Sequence, residues 1–167
     1  GALVTVDGNV TFVAQWEPIE YKIEYDNNGG EAPATANPTK YTVEDDIEIS
    51  NEPTRTGYTF DGWTGSGIDD PTTPITWDAG DEHEDKSYKA NWTPIEYTIT
   101  YDNAGGTDPS TANPDSYTVE DNVNISNEPT KKGYTFEGWT SDDMSTPITD
   151  PTTPVEWDKG DETGDKT

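Results

Sequence analysis

The chain has no cysteine, one histidine, one methionine, and nine basic residues against thirty-five acidic ones, for a formal net charge of −26 over 167 residues. Without cysteine there are no disulfides, thiolate metal sites or thiol nucleophiles, and the redox compartment stays open. A basic face that could meet phosphate is missing, which excludes nucleic acid as a partner. Anionic membrane surfaces are excluded on the same ground. No hydrophobic run is long enough to insert into a membrane or to act as a signal peptide, so no membrane insertion is expected in this segment. Nor does any stretch of about ten residues carry an apolar 3.6 period free of Pro and Gly, so helix should be scarce, at most one short turn between Asp26 and Tyr41.

What is present is repetition and aromatic mass. Hydrophobic residues make up only 28% of the chain, a composition that leans toward disorder, yet six Trp and nine Tyr supply a core payload. Residues 18–64 return as 94–140 at a constant shift of 76 positions. The shift then grows to 80, because Asp70-Pro71-Thr72-Thr73-Pro74 reappears as Asp150-Pro151-Thr152-Thr153-Pro154, with four extra residues before it. A tandem array follows. Both ends of the chain fall inside repeat units, as in a piece of a longer protein, and Gly1-Ala2 reads as the scar of a cut tag.

Within each copy, short alternating segments predict half-buried strands: Tyr21, Ile23, Tyr25; Tyr41, Val43; Ile47, Ile49; Tyr58, Phe60; Ile75, Trp77; and Tyr88, Ala90, Trp92. The second copy follows with Tyr97, Ile99, Tyr101; Tyr117, Val119; Val123, Ile125; Tyr134, Phe136; and Val155, Trp157. Tyr21, Ile23, Tyr58, Phe60, Trp63 and their counterparts are expected inside. Trp63 sits on the wrong parity relative to Phe60, so Gly62 should form a bulge that turns the indole inward. Thr93-Pro94-Ile95-Glu96 joins the copies and spans at most about 13 Å, which makes the neighbouring repeats of the parent chain the first expected partners.

The order Tyr-x-Ile-x-Tyr-Asp-x-x-Gly-Gly, Pro-Thr-x-x-Gly-Tyr-Thr-Phe-x-Gly-Trp and Tyr-x-Ala-x-Trp resembles the internalin-type B repeat, or Listeria-Bacteroides repeat. It runs through Tyr21–Gly30, Pro53–Trp63 and Tyr88–Trp92, and again through Tyr97–Gly106 and Pro129–Trp139. The resemblance implies repeats of bacterial cell-surface or secreted proteins, a β-grasp-like fold and no enzymatic activity. The fold class expected is mainly β, an α-poor α+β arrangement of two tandem β-grasp-like modules in an elongated rod. One departure from the pattern is the pair of acidic stretches before the final strand.

Those stretches are the candidate metal site. Asp78, Asp81, Glu82 and Asp85 in the first copy, and Asp158, Asp161, Glu162 and Asp165 in the second, share the pattern Trp-Asp-x-Gly-Asp-Glu. Hard cations such as calcium take several oxygens from a flexible loop in which Gly bends carbonyls inward. The competing reading is a pair of solvated acidic turns. No catalytic residue is expected: His83 has no counterpart in the second copy, and the carboxylates have no evident pocket that would separate their pKa values. The functional expectation is a non-catalytic structural spacer or stalk of an extracellular, adhesin-like protein, on the bacterial cell surface or secreted. The alternative is an adhesin module that recognises a host glycan or protein.

Module phase has two readings. In one, residues 1–16 are the end of a preceding repeat or the first strand of module 1, residues 17–92 form repeat 1, and residues 93–167 form repeat 2 without its final strand. In the other, favoured because both chain ends then coincide with module ends, Phe12–Trp16 pairs with Tyr21–Asp26 and the modules are 8–86 and 87–167. If instead the orphan strand completes the second repeat of another molecule, a head-to-tail contact results.

Overall fold

The computed structural model describes residues 7–167, so expectations that fall on residues 1–6 lie outside the described residues. Every regular element among the described residues is a β-strand. Residues 27–39, where a β-grasp would place its helix, carry only one turn, bends and one isolated bridge. Pro33, Pro38 and the Asn-Asn-Gly-Gly turn interrupt any helical period there.

The first repeat contains β1 (Tyr21–Asp26), β2 (Lys40–Tyr41), β3 (Ile47–Ile49), β4 (Tyr58–Gly65), β5 (Ile68–Thr72), β6 (Ile75–Trp77) and β7 (Lys86–Pro94). Five of them form one sheet in the order β2-β1-β7-β4-β5, while β3 and β6 make a separate antiparallel ribbon. The last strand is central: β7 pairs in parallel with β1 through Ile23↔Lys86 to Asp26↔Lys89, and antiparallel with β4 through Tyr58↔Pro94 to Thr64↔Lys89. One hydrophobic cluster joins sheet and ribbon, with Ile23, Tyr41, Ile47, Ile49, Trp63, Ile75, Tyr88 and Ala90 buried in it.

Trp63 is fully buried, its ring centroid 5.3 Å from both Tyr25 and Phe60. The bulge expected at Gly62 is present, since the β4–β7 register shifts between Phe60 and Gly62. Gly62 has φ +131°, and a Cβ there would lie 2.4 Å from the Thr72 amide nitrogen, so both conformation and close approach require glycine. Burial raises the Tyr25 phenol well above its ordinary pKa, with the nearby Tyr88 adding to the shift. The neutral hydroxyl donates to the Pro38 carbonyl at 2.8 Å.

The second repeat contains β8 (Tyr97–Thr98), β9 (Ser116–Tyr117), β10 (Val123–Ile125), β11 (Trp139–Ser141), β12 (Ile148–Thr152) and β13 (Val155–Trp157). Its β10–β13 ribbon copies β3–β6 in register. The large sheet does not recur: β8–β9 and β11–β12 are separate two-stranded pieces, and only the Ile99↔Lys166 bridge marks where β7 would begin. In the first repeat Tyr88–Pro94 joins the equivalent pieces; here residues 134–138 carry no strand, Trp139 is only half-buried, and Tyr134 is 72% exposed. The expectation that Tyr134 would be inside, like Tyr58, is therefore corrected.

The hairpin between Phe12–Trp16 and Tyr21–Asp26 is not formed. Tyr21–Asp26 takes β2 and β7 as its neighbours, and Phe12 and Trp16 are each 91% exposed. A boundary at residue 86 would also give β7 to the second module, whereas that strand lies between β1 and β4 of the first.

Candidate functional site: the joint between repeats and the acidic loops

The segment expected to be a linker is largely strand. Thr93 and Pro94 are the last residues of β7, paired with Thr59 and Tyr58, and the Ile95 amide donates to the Gly57 carbonyl at 2.9 Å. β8 begins at Tyr97. Glu96 accepts from the Ser116 hydroxyl at 3.0 Å, so the chain is held to the first repeat on one side and to the second on the other.

Two turns meet at this point. In the first repeat the Tyr58 amide donates to the Arg55 carbonyl, closing a turn on Gly57, and the Arg55 guanidinium lies 3.7 Å from the centre of the Tyr58 ring. In the second, the Asp121 carboxylate accepts from the Thr118 amide and hydroxyl, each at 2.8 Å, which shapes a turn with Val119 and Glu120 at its tip. Those bonds hold the Asp121 carboxyl below its ordinary pKa. The Tyr58 hydroxyl donates to Glu120 at 2.9 Å. Gly57 has φ +78°, and a Cβ there would sit 2.2 Å from Val119 Cγ1, so the backbone of one repeat rests directly on the valine of the next.

Comparison of the copies isolates what the joint does. Thr42-Val43-Glu44-Asp45 has the same sequence and the same Thr–Asp bonds as Thr118-Val119-Glu120-Asp121. Val119 is 8% exposed and Val43 is 36% exposed. At Gly133, the counterpart of Gly57, a Cβ would meet nothing within 4 Å. Identical sequence in different surroundings leaves contact between the repeats as the cause.

The acidic loops are put to structural use. Glu82 and Glu84 bond the Lys86 ammonium at 2.5 and 3.3 Å, and Lys86 is buried. Burial alone would lower the Lys86 pKa, but the two glutamates outweigh it and raise it. In the second copy Glu162 and Lys166 form a pair at 3.0 Å and are both buried. Ser145, from the four-residue insertion, closes over Glu162 with its amide and hydroxyl, and Lys166 also donates to Asp143 and Thr163 carbonyls. Asp85 and Asp165 accept from the Lys22 and Thr98 amides at the start of β1 and β8. Asp78 and Asp158 offer their carbonyls to the amides of Asp81 and Asp161, closing tight turns. Among the described residues no three His, Asp or Glu side chains gather where a metal ion could be held. Of the eight candidate carboxylates, Glu82 and Glu162 face ammonium groups, and Asp85 and Asp165 face backbone amides. His83 is exposed in its loop.

The chain belongs to the Listeria-Bacteroides repeat domain family, whose model matches it twice, over residues 21–91 and 97–161. The joint residues Ile95 and Glu96 lie between the two matches. Among curated proteins it is 26% identical over 144 residues to a putative membrane protein of Evansella cellulosilytica, covering 85% of this chain and 20% of that one. It is 27% identical over 139 residues to a putative Gly-rich membrane protein of the same organism, covering 82% of this chain and 15% of that one. The chain thus spans a fifth or less of the length of these relatives. No solved structure matches it. No helix among the described residues is long and apolar enough to cross a membrane.

Proposed function

We propose that this two-repeat segment is a non-catalytic spacer in the surface-associated, extracellular part of a bacterial protein, and that the joint sets successive modules at a fixed angle in a semi-rigid rod. The observation that carries the reading is the seating of Val119 on Gly57, together with a connection that is mostly hydrogen-bonded strand. A surface role agrees with the family and with relatives that are named as putative membrane proteins. The net charge of −26 keeps such a rod soluble and opposes its collapse.

A glycan- or protein-binding adhesin would present the same aromatic or polar groups on both copies. The repeated cation–aromatic pairs Arg55–Tyr58 and Lys131–Tyr134 are the nearest candidates. In an array Tyr58 is covered by the following repeat, which favours the mechanical reading. Small-angle X-ray scattering of the chain and of its Val119→Asp variant tests the proposal. A sharply defined two-body profile in the parent, broadened in the variant, is expected. Indistinguishable profiles would refute the spacer reading. Glycan-array binding that Tyr134→Ala abolishes would establish the adhesin reading instead.

A further inference from the structure

The first and last strands of the first repeat lie side by side. β1 and β7 pair in parallel from Ile23↔Lys86 to Asp26↔Lys89. Both are interior strands, with β2 outside β1 and β4 outside β7, and Ile23, Tyr88 and Ala90 along the seam are buried. Side chains lengthen the seam at both ends. At its start the Lys22 amide donates to the Asp85 carboxylate at 2.8 Å. Beyond its other end the Asn28 side-chain amide donates to the Ala90 carbonyl at 3.0 Å, and the Trp92 indole donates to the Asn27 carbonyl at 3.1 Å. Lys86, the first paired residue of β7, is buried and held by Glu82 and Glu84.

The second repeat starts the same seam with the same bonds. The Thr98 amide donates to the Asp165 carboxylate at 2.9 Å, the Lys166 amide donates to the Thr98 carbonyl at 2.9 Å, and the Thr100 amide donates to the Lys166 carbonyl at 2.8 Å. Asp85 and Asp165, each the last acidic residue of its loop, thus begin the seam in both copies.

Direction decides what such a seam does under tension. The chain enters the repeat at the N-terminal end of β1 and leaves it at the C-terminal end of β7. Because the two strands are parallel, those points lie at opposite ends of the seam, and a pull along the chain slides one strand past the other. The hydrogen bonds cross between the strands, so they share the pull and fail together. An antiparallel pair such as β4–β7, pulled apart from one end, opens its bonds one after another instead. We infer that the repeat is built to carry tension, with the β1–β7 seam as a shear clamp between its entry and its exit. The inference rests on the spacer reading only in taking those two points as the places where force enters. Its test pulls on one repeat and is separate from the angle between repeats.

Optical-trap unfolding of the full chain tests the clamp, and no native cysteine competes for the handles. Glu17→Cys with Thr93→Cys pulls along the seam, whereas Thr56→Cys with Thr93→Cys peels β4 from β7; all three positions are exposed. Unfolding releases at most about 260 Å of chain in the first geometry and about 125 Å in the second, which identifies each event by its length. Rupture along the seam is expected in one step at several times the peeling force, a readout governed by the unfolding rate. Asn28→Ala with Asp85→Ala removes two bonds of the seam. Ala104 stands in the place of Asn28 in the second repeat at the same φ of +49°, so the fold accepts alanine there. The double variant should lower the force along the seam and leave the peeling force unchanged, whereas a general loss of stability lowers both. Equal forces in the two geometries, a seam force that the double variant leaves unaltered, or an equal fall in both forces would overturn the inference.

Discussion

Gly57→Ala probes the joint through a single methyl group. Placing alanine at φ +78° costs about 1 kcal/mol on backbone grounds alone. The added Cβ also overlaps Val119 Cγ1, and forcing a methyl into a packed contact costs about 1–3 kcal/mol unless the contact opens. Opening is the cheaper route. The difference between Val119 at 8% and Val43 at 36% exposure amounts to about 40 Å² of apolar surface, or about 1 kcal/mol at ~25 cal/mol/Å². Gly57→Ala is therefore expected to destabilise by about 2 kcal/mol in the parent but by about 1 kcal/mol in a Val119→Ala background, where most of the overlap is gone. The coupling of about 1 kcal/mol is measurable by a double-mutant cycle in urea denaturation followed by tryptophan fluorescence. Gly133→Ala, at φ +82° with open space around it, supplies the backbone cost without the joint. If Gly57→Ala costs the same in both backgrounds and the same as Gly133→Ala, the seating of Val119 on Gly57 contributes nothing and the argument fails.

Other consequences follow from the core and the acidic loops. Trp63→Ala should destabilise the first repeat by about 3–5 kcal/mol and unfold it at room temperature, as seen in the near-ultraviolet circular dichroism. A parent-like melting curve would refute its place in the core. Burial alone would raise the Glu162 pKa, but the Ser145 hydroxyl, Lys166 and the Ser145 amide outweigh it, and the folded value lies below the ordinary 4.5. A lowered carboxyl stabilises above the unfolded pKa and loses that contribution as pH falls through the folded value. Second-repeat stability should accordingly drop below about pH 4.5, and Glu162→Gln should flatten that dependence; an unchanged slope would remove the pair from the account. Millimolar calcium should shift the melting temperature no more than monovalent salt of equal ionic strength, and a specific shift abolished by Asp81→Asn with Asp161→Asn would restore the cation site.

Local pattern made much of this architecture legible. The alternation Tyr21-Ile23-Tyr25 is β1, and the broken parity at Gly62-Trp63 is the bulge. The centrality of β7 was not legible, because pairing Ile23 with Lys86 in parallel leaves no local signal in either segment. Burial at the joint was hidden for a different reason: Val43 and Val119 share identical neighbours in sequence, so only the adjacent repeat distinguishes them. The acidic runs by composition offer cation ligands or solvated charge, and their ion pairing within the fold is marked by the lysine that closes each run, Lys86 and Lys166, four residues after Glu82 and Glu162. The helix allowed between Asp26 and Tyr41 is absent, since prolines and paired glycines govern that segment.

The fixed angle between repeats is tested most directly by electron–electron double resonance. The chain has no cysteine of its own, so spin labels can be placed at Glu48→Cys and Asn124→Cys, equivalent exposed positions on the two ribbons. A joint that holds Val119 on Gly57 gives one narrow distance distribution, which Val119→Asp broadens. A broad distribution in the parent, unaltered by that substitution, would contradict the account.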